Sequence, residues 1–295
     1  MDKKDLGSKT AKGGFANEKA ICEKFNNWKN DQEAQEWLKI MGYDPGKIDS
    51  VEAIQVPTRI KKTDVSKFGV NVNKEEDYEQ LNKFKKADAQ IKIVIKIGNL
   101  LCVENLSLKK ANSDACYNQI DKRTVAEYQK MWGFDDEIAF WLMLFTGDLD
   151  HAKELDPAKY STITGITEFS GKERRLLFNQ MPINVQQKII KFFDDNRIIV
   201  VTDIIKGRGG LSAGWMLVTR FNKEDETTTW ILKDINTVMN FFGKGEVRVS
   251  PKGSLYIGKI TMQRKGGTPD PTKLQFKINP CQLFEPEEDS LNGSE

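Results

Sequence analysis

Two residues of opposite charge, Asp88 and Lys109, flank a sequence pattern that is typical of a β-hairpin. Isoleucine alternates with polar or smaller residues from Ile91 to Ile97, which is the two-residue period of a strand. The Gly-Asn pair that follows favours a tight two-residue turn. Closing the hairpin at that turn pairs Ile97 with Leu100 and places Asp88 opposite Lys109.

The side chains on that face of the hairpin could carry out metal-assisted hydrolysis. A carboxylate such as Asp88 can hold Mg²⁺, a hard cation that prefers oxygen ligands, and the carbonyl of Leu108 could complete its coordination. Lys109 could position or polarise an attacking water and offset the charge of a phosphate. The same register places Gln90 opposite Ser107 beside this pair. A solvent-exposed ion pair across two strands is the commoner meaning of such an arrangement.

The segments on either side of this hairpin predict an α/β protein. Ile21, Phe25 and Trp28 have helical spacing, and a capping box at Thr124 and Glu127 opens another helix. Because the strands come in hairpins, we expect a mixed, largely antiparallel central sheet flanked by helices. The remaining predicted elements are a helix after Asp31, helices at 173–193 and 235–242, and strands at 197–205, 215–221, 246–250, 254–262 and 273–278.

The sequence predicts one globular domain over residues 1–284. Turn-forming residues at 146–170 could form a hinge between a catalytic half at about 1–150 and a second half at about 165–284. The acidic end of the chain, 285–295, predicts a disordered, solubilising tail.

Charge is distributed unevenly along the chain. The formal net charge is +2, but residues 285–295 hold five acidic residues and no basic one. Between Lys244 and Lys277 there are eight basic residues and two acidic ones. A basic stripe of this kind is typical of a surface that binds a polyanion, although a solvated lysine-rich face is the commoner cause. A second lysine-rich stretch, 58–86, interrupts the core pattern and predicts a long surface excursion.

The chain contains a single histidine, His151, which excludes several classes of active site. Zinc sites with several histidines and most histidine-dependent acid–base schemes are ruled out. The segment 210–214 matches the nucleophile elbow of serine hydrolases, but that motif needs a histidine after the serine. Four scattered cysteines without CxxC spacing predict free thiols in a reducing compartment. No apolar run approaches the length of a membrane helix, so we expect a cytoplasmic protein without membrane contact.

The order of Asp88, strand, turn and Ser107-x-Lys109 resembles the PD-(D/E)xK nuclease core, in the variant found in MspI-like type II restriction endonucleases. The similarity is greatest to the GCGC-cutting member of that group and extends over nearly the whole chain. Because the matching segments are long and collinear, they are far more specific than the three core residues. They include NQIDK at 118–122, YQKMWGFDD at 128–136, NRIIVVTDIIKGRG at 196–209, SPKGS at 250–254, QRKGG at 263–267 and LQFKI at 274–278.

The resemblance implies Mg²⁺-dependent cleavage of double-stranded DNA at a short palindrome, GCGC first, that leaves 5′-phosphate ends. It implies that Asp88 and the Leu108 carbonyl bind Mg²⁺, for which Mn²⁺ could substitute, and that Lys109 assists the attacking water. Glu18 resembles an upstream acidic residue that joins such metal sites. The family usually has Glu, Asn or Gln where this chain has Ser107, and a serine reaches the metal only closely or through water.

The same resemblance assigns the DNA contacts chiefly to the basic C-terminal half of the chain. Arginine and lysine suit the O6 and N7 atoms of guanine, and backbone amides of glycines can approach phosphates or base edges closely. The candidate DNA-binding residues are Gln119, Lys122, Arg208, Ser250, Lys252, Ser254, Arg264, Lys265, Gly266, Gln275 and Lys277.

The partners of the protein and its rival functions follow from the same interpretation. A restriction–modification system implies a companion DNA methyltransferase that protects the same site, and we expect a monomer or a weak dimer. One rival is a catalytically weak DNA-binding protein, because Ser107 replaces the usual acidic or amide residue. Another is a structure-selective repair nuclease built on the same core.

Overall fold

The computed structural model describes residues 3–96, 99–112, 116–164, 175–265 and 272–285 of the chain. Within these ranges, none of the helices is long and apolar enough to cross a membrane. The helices are α1 (Lys3–Asn26), α2 (Gln32–Ile40), α3 (Glu75–Phe84), α4 (Val125–Trp132), α5 (Asp136–Thr146), α6 (Leu149–Leu155), α7 (Pro157–Thr164), α8 (Ile183–Asp195), α9 (Arg197–Val201) and α10 (Ile235–Gly243). The strands are β1 (Ile48–Gln55), β2 (Ala89–Ile95), β3 (Leu100–Asn112), β4 (Asn118–Arg123), β5 (Trp215–Phe221), β6 (Thr228–Asp234), β7 (Val247–Val249), β8 (Leu255–Ile257), β9 (Ile260–Arg264) and β10 (Leu274–Ile278).

These elements group into two units, and each unit draws on segments that are distant in the sequence. The first unit contains the predicted hairpin, and the second contains the basic stretch between Lys244 and Lys277. The sequential halves predicted at 1–150 and 165–284 therefore do not coincide with the units. The first unit comprises the described residues of Gly14–Asn118, Arg208–Val238 and Asn279–Glu295, and the second those of Met1–Gly13, Gln119–Gly207 and Met239–Ile278.

Each unit is built on a five-stranded sheet. The sheet of the first unit has the order β1-β2-β3-β5-β6, and its strand pairs are antiparallel except for the parallel pair of β3 and β5. The sheet of the second unit has the order β4-β10-β9-β8-β7, with antiparallel pairing from β10 to β7. The predicted mixed, largely antiparallel α/β fold is confirmed.

The hairpin of β2 and β3 forms, but its register differs by two residues from the predicted one. Ile95, and not Ile97, pairs with Leu100, and Gln90 pairs with Asn105 in place of Ser107. The ladder of β2 and β3 ends at Ile95, and the backbone N–H of the next residue donates to the carbonyl of Lys47, beside β1, at 3.0 Å. A shift of two residues leaves every side chain on its predicted face, since side chains alternate with a period of two. Residues 97 and 98, where the turn was predicted in part, lie outside the described residues.

Helices α1 and α2 cover one face of the first sheet and hold its strands in place. The side chain of Asp31 caps α2 by accepting a hydrogen bond from Ala34 N at 2.9 Å, as the sequence predicts. Each fully buried large apolar side chain in the resulting core contributes about 1.5–3 kcal/mol to the stability of the fold. Side chains with no exposed surface in this core include Phe25, Trp37, Leu38, Ile91 and Ile93.

The stretch 58–86 is not the surface excursion that its composition predicts. It contains a short 3₁₀ segment at Lys62–Phe68 and helix α3, which share a small apolar core. The hydroxyl of Tyr78 donates to the carbonyl of Ile60 at 2.7 Å within this core. The apolar residues are too widely spaced among lysines for the composition to reveal the packing, yet Ile60, Val65, Phe68, Tyr78 and Leu81 are all buried.

Four further predicted elements are wrong in type or extent. The apolar run after Asn196 is helical and not a strand, because α9 continues into a π-helical turn at Thr202–Lys206. Short apolar runs do not distinguish a buried helix from a buried strand, and here Val200, Val201, Ile204 and Ile205 are buried at helical spacing. The helix predicted from residue 173 begins only at Ile183. The segment predicted as turns at 146–170 contains α6 and α7, and the strand predicted at 254–262 is the hairpin of β8 and β9.

Residues 286–295 of the predicted tail lie outside the described residues.

The cysteines are not all free thiols, contrary to the prediction. Cys116 and Cys281 form a disulfide in the first unit, with their Cα atoms 5.8 Å apart, whereas Cys22 and Cys102 remain as thiols. The paired residues are 165 positions apart in the sequence, so their spacing carried no sign of the bond.

Candidate active site

The carboxylate of Asp88 lies at the start of β2 and is surrounded by hydrogen-bond donors from β3. Its Oδ2 atom accepts from Leu108 N at 2.7 Å, from Lys109 Nζ at 3.0 Å and from Ser107 Oγ at 3.2 Å. Three donors from β3 therefore converge on a single carboxylate oxygen. The shift in register brings Ser107 level with Asp88 and keeps Lys109 within reach, so the predicted group assembles despite the register error.

Lys109 bridges two oxygens of the candidate metal site. Its Nζ atom lies 3.0 Å from Asp88 Oδ2 and 3.0 Å from the carbonyl oxygen of Leu108. β3 is the central strand of the first sheet, and the side chains of Lys109 and Asp88 are only 14% and 28% exposed. The pair therefore differs from the solvent-exposed ion pair that the sequence left open, because its members are largely withdrawn from water.

Glu18 on α1 is the second carboxylate of this site. Burial raises the pKa of the Glu18 carboxyl, and the negative charge of Asp88 raises it further. Gln55 on β1 opposes this effect by donating from Nε2 to Glu18 Oε2 at 2.6 Å, and the positive charges of Lys109 and Lys85 also favour the ionised form. Glu18 therefore interacts with Asp88, and its role as a metal ligand stays a prediction.

The oxygens at this site fit a hard divalent cation. Carboxylates of Asp88 and Glu18 and the carbonyl of Leu108 are the donor types that Mg²⁺ and Mn²⁺ prefer, with water in the remaining positions. No cluster of three or more His, Cys, Asp or Glu side chains suited to a metal occurs among the described residues. Two of the proposed ligand oxygens already accept from Lys109, so they are arranged around a positive charge.

The sheet of the second unit carries a group of lysines: Lys122 lies on β4, Lys277 on β10, Lys265 directly after β9 and Lys273 directly before β10. Burial lowers the pKa of Lys122, and repulsion from Lys265 and Lys273 lowers it further. The pKa of Lys265 is lowered by burial and then by the charge of Lys277, whose own pKa is lowered by burial. Lysines that lie close enough to lower a neighbour's pKa in this way form a surface suited to a polyanion. Lys122, Lys265 and Lys277 were predicted to contact DNA, and Lys273 was not.

Gln275 is placed less favourably for contact with a ligand than the sequence suggested. Its side chain is 3% exposed and donates from Nε2 to the carbonyl of Arg264 at 3.3 Å, while its Oε1 atom has no hydrogen-bond partner among the described residues. Lys277, two residues along β10, pairs across the sheet with Thr261, whose buried hydroxyl also lacks a partner. These two unsatisfied oxygens lie on the same face of the sheet as Lys277, since Gln275 and Lys277 alternate with the buried Phe276.

The other predicted DNA-binding residues do not all join the lysine-bearing strands. Gln119 lies on β4 beside them and is exposed. Ser250, Lys252 and Ser254 form the turn between β7 and β8, where Ser254 N donates to Ser250 Oγ at 3.1 Å, and β7 is the strand farthest from β4 in the order of the sheet. Arg208 belongs to the first unit, with its guanidinium carbon 4.6 Å from the ring centroid of Phe84. Gly266 lies outside the described residues.

The sequence did not single out three residues that the structure places at these sites. Gln55 and Lys85 lie close to the carboxylates of the first unit, and Lys273 joins the lysines of the second. Lys85 could have been predicted at this site because it stands only three residues before Asp88 in the sequence. Nothing in the sequence pattern pointed to Gln55, because its contact depends on how α1 packs against β1.

Comparisons with known proteins agree with this architecture. The family model described as R.HinP1I restriction endonuclease matches residues 80–284, which is more than half of the chain. The fold is similar to the crystal structure of restriction endonuclease MspI in complex with its cognate DNA, with a TM-score of 0.51 and 15% sequence identity over 90% of this chain and 88% of that chain. At this identity the likeness to MspI concerns the fold alone. Among curated proteins, no match to the chain was found.

Proposed function

Since the chain belongs to the R.HinP1I restriction endonuclease family and is a type II site-specific endonuclease, we propose that it hydrolyses double-stranded DNA with Mg²⁺ at a short GC-rich palindrome. GCGC is the first candidate site, and the products carry 5′-phosphate ends. The observation that carries this proposal is the contact of Lys109 Nζ with Asp88 Oδ2 and the Leu108 carbonyl on the central strand of the first sheet.

The residues of the first unit have distinct tasks in this mechanism. Asp88, Glu18 and the Leu108 carbonyl would hold Mg²⁺, which when bound supplies a Lewis acid for the phosphate and a more acidic water. Lys109 orients the attacking water and offsets the negative charge that grows on the phosphate. Ser107 acts through Asp88, because its hydroxyl donates to that carboxylate and fixes its orientation.

The lysines of the second unit would bind the DNA backbone and its bases. MspI was crystallised with its cognate DNA, and we propose that this chain likewise binds duplex DNA. A companion DNA methyltransferase would protect the same site, and both proteins would act in the cytoplasm. We propose a monomer or a weak dimer as the active form.

Digestion of phage DNA of known sequence, followed by sequencing of the fragment ends, tests this proposal. We expect discrete fragments with Mg²⁺ and none with EDTA, and the ends should give the recognition site and the cut position together. Binding without cleavage would favour the catalytically weak DNA-binding protein. Cleavage that requires junctions or damaged sites would favour the repair nuclease.

The proposed ligands predict which cations support catalysis. Two carboxylates, a carbonyl and water should accept Mg²⁺ or Mn²⁺ weakly, so cleavage should require a large excess of either ion over protein. Ca²⁺ should support DNA binding without cleavage, because it takes more ligands at longer distances. Titration of each ion against plasmid cleavage and against duplex binding measures both effects. Zinc-dependent cleavage that resists EDTA would contradict the proposed ligand set.

Two variants of the second unit should distinguish recognition of DNA bases from binding of the DNA backbone. Lys277→Ala should lose discrimination at particular base pairs, by roughly 1–3 kcal/mol for each lost bidentate contact. Lys252→Ala, at an exposed turn, should weaken binding to all sequences alike and lower the salt slope by about one. Binding to cognate and singly substituted duplexes in Ca²⁺ at fixed salt compares them. A uniform loss in Lys277→Ala would assign that lysine to the backbone.

A further inference from the structure

A second lysine, Lys85, lies beside the carboxylates of the first unit. It follows the last residue of α3 and stands three residues before Asp88. Its side chain is half-buried, and burial lowers the pKa of its ammonium. The negative charges of Asp88 and Glu18 raise this pKa and so oppose the effect of burial. Lys109 and Lys85 interact electrostatically, so both lysines belong to one cluster of charges.

The two lysines of this cluster differ in their contacts. The ammonium of Lys109 donates to Asp88 and to the Leu108 carbonyl. The ammonium of Lys85 has no hydrogen bond or ion pair with any of the described residues, although it is partly withdrawn from water. Holding a desolvated cation without a direct partner costs free energy. A position of this kind, next to a proposed site of phosphate hydrolysis, is suited to an anionic ligand.

The backbone around Lys85 is held firmly by other parts of the first unit. Arg208 N donates to the carbonyl of Phe84 at 3.1 Å, and the two backbone amides that follow Lys85 both donate to the carbonyl of Leu211, at 3.1 Å and 3.0 Å. Asp88 N donates to the carbonyl of Leu106 at 2.8 Å. Tyr78 and Leu81 of α3 pack in the small core of the stretch 58–86. The start of the Lys85 side chain is therefore fixed relative to Asp88.

We propose that Lys85 binds a phosphate of the DNA backbone at the active site, and that the stretch 58–86 positions it there. This inference rests on the proposed function and adds a residue to it. Lysine suits the task because its ammonium is a compact point charge that binds phosphate without requiring a particular orientation. Lys109 also contacts the ligand oxygens, and Lys85 adds a second positive charge for the substrate.

Replacing Lys85 with methionine keeps the length of the side chain and removes its charge. We expect the single-turnover rate of plasmid cleavage in Mg²⁺ to fall about 10²-fold, the scale seen when one group that stabilises charge in the transition state is lost. The slope of duplex binding against salt, measured in EDTA by fluorescence anisotropy with a GCGC-containing duplex, should fall by about one. Lys85→Arg should recover most of both properties, because it restores the charge.

The matched control is Lys83→Met on the same helix. The ammonium of Lys83 lies 5.6 Å from the ring centroid of Phe84, and its removal should leave the cleavage rate and the salt slope unchanged. Thermal unfolding separates a ligand-binding role from a structural one. Lys85→Met should leave the unfolding midpoint unchanged or raise it, because an apolar side chain replaces a partly desolvated ammonium.

Three results would overturn the assignment of Lys85. These are wild-type cleavage by Lys85→Met, a salt slope equal to that of the wild type, or a lowered unfolding midpoint that Lys85→Arg restores. The last would show that Lys85 serves to neutralise Asp88 and Glu18. If the wild-type protein fails to cleave the plasmid, the proposed function fails, and the salt slope in EDTA still decides whether Lys85 contacts DNA.

Discussion

Asp88→Asn should abolish DNA cleavage while leaving DNA binding intact. The substitution keeps the shape of the side chain but removes the charge that would hold a divalent cation at the site. We expect a loss of at least about 10³-fold in the single-turnover rate, because the Lewis-acid contribution of a bound metal is worth several kcal/mol. Binding to a duplex in EDTA should be retained or strengthened, since one negative charge near a phosphate is gone. Plasmid nicking and fluorescence anisotropy measure the two properties.

The control for this variant is Asp64→Asn in the same unit. Asp64 forms an exposed ion pair with Lys67 and lies in the 3₁₀ segment of the stretch 58–86. The control should cleave like the wild-type protein, because an exposed pair contributes little to stability. Cleavage by Asp88→Asn at a wild-type rate would remove Asp88 from the metal site. A large drop in its unfolding midpoint would require the activity to be compared at a temperature where both variants are folded.

The face of the hairpin could be predicted from the sequence, but its register could not. The alternation of isoleucines fixed which side chains point toward the core, and Ile91 and Ile93 are fully buried. The register depends on where β2 and β3 leave the ladder, which is at Ile95 and Leu100, and the alternation alone does not locate that point. The site survived the error because a shift of two residues preserves the faces, whereas a shift of one would have separated Asp88 from Lys109.

Contacts between distant segments explain the other differences between prediction and structure. The bond between Cys116 and Cys281 and the contact of Gln55 with Glu18 both join residues far apart in the chain. Local composition is also a poor guide where a small core is assembled from scattered apolar residues, as in the stretch 58–86. Local signals succeeded where the chemistry is local, as in the capping box at Thr124, whose two reciprocal hydrogen bonds are present.

The sequence pattern of a strand does not reveal how deeply each side chain is buried, so it cannot show which residues are free to contact DNA. Gln275 and Lys277 share a face of β10, but the first is buried with an unsatisfied oxygen and the second is only half-buried. Type and spacing alone could not distinguish these environments. The repulsion that Lys265 and Lys273 exert on Lys122 is a property of the folded protein. It places Lys273 beside predicted DNA-binding residues, among which the sequence analysis did not include it.

Lys109→Met should reduce cleavage by about 10²-fold or more, because the group that orients the water and offsets charge on the phosphate is lost. Methionine fills a similar volume, so the strand should keep its packing, although Asp88 then loses one of its three donors. The matched control is Lys110→Met, which removes an exposed lysine from the opposite face of β3 and should change the rate by less than about twofold. Single-turnover cleavage at saturating Mg²⁺ separates a chemical role from metal binding, since a variant that only bound the ion more weakly would recover at high Mg²⁺. Recovery of the full rate under those conditions would show that Lys109 only positions the oxygens that bind the metal. The positive charge next to the phosphate would then have to come from Lys85.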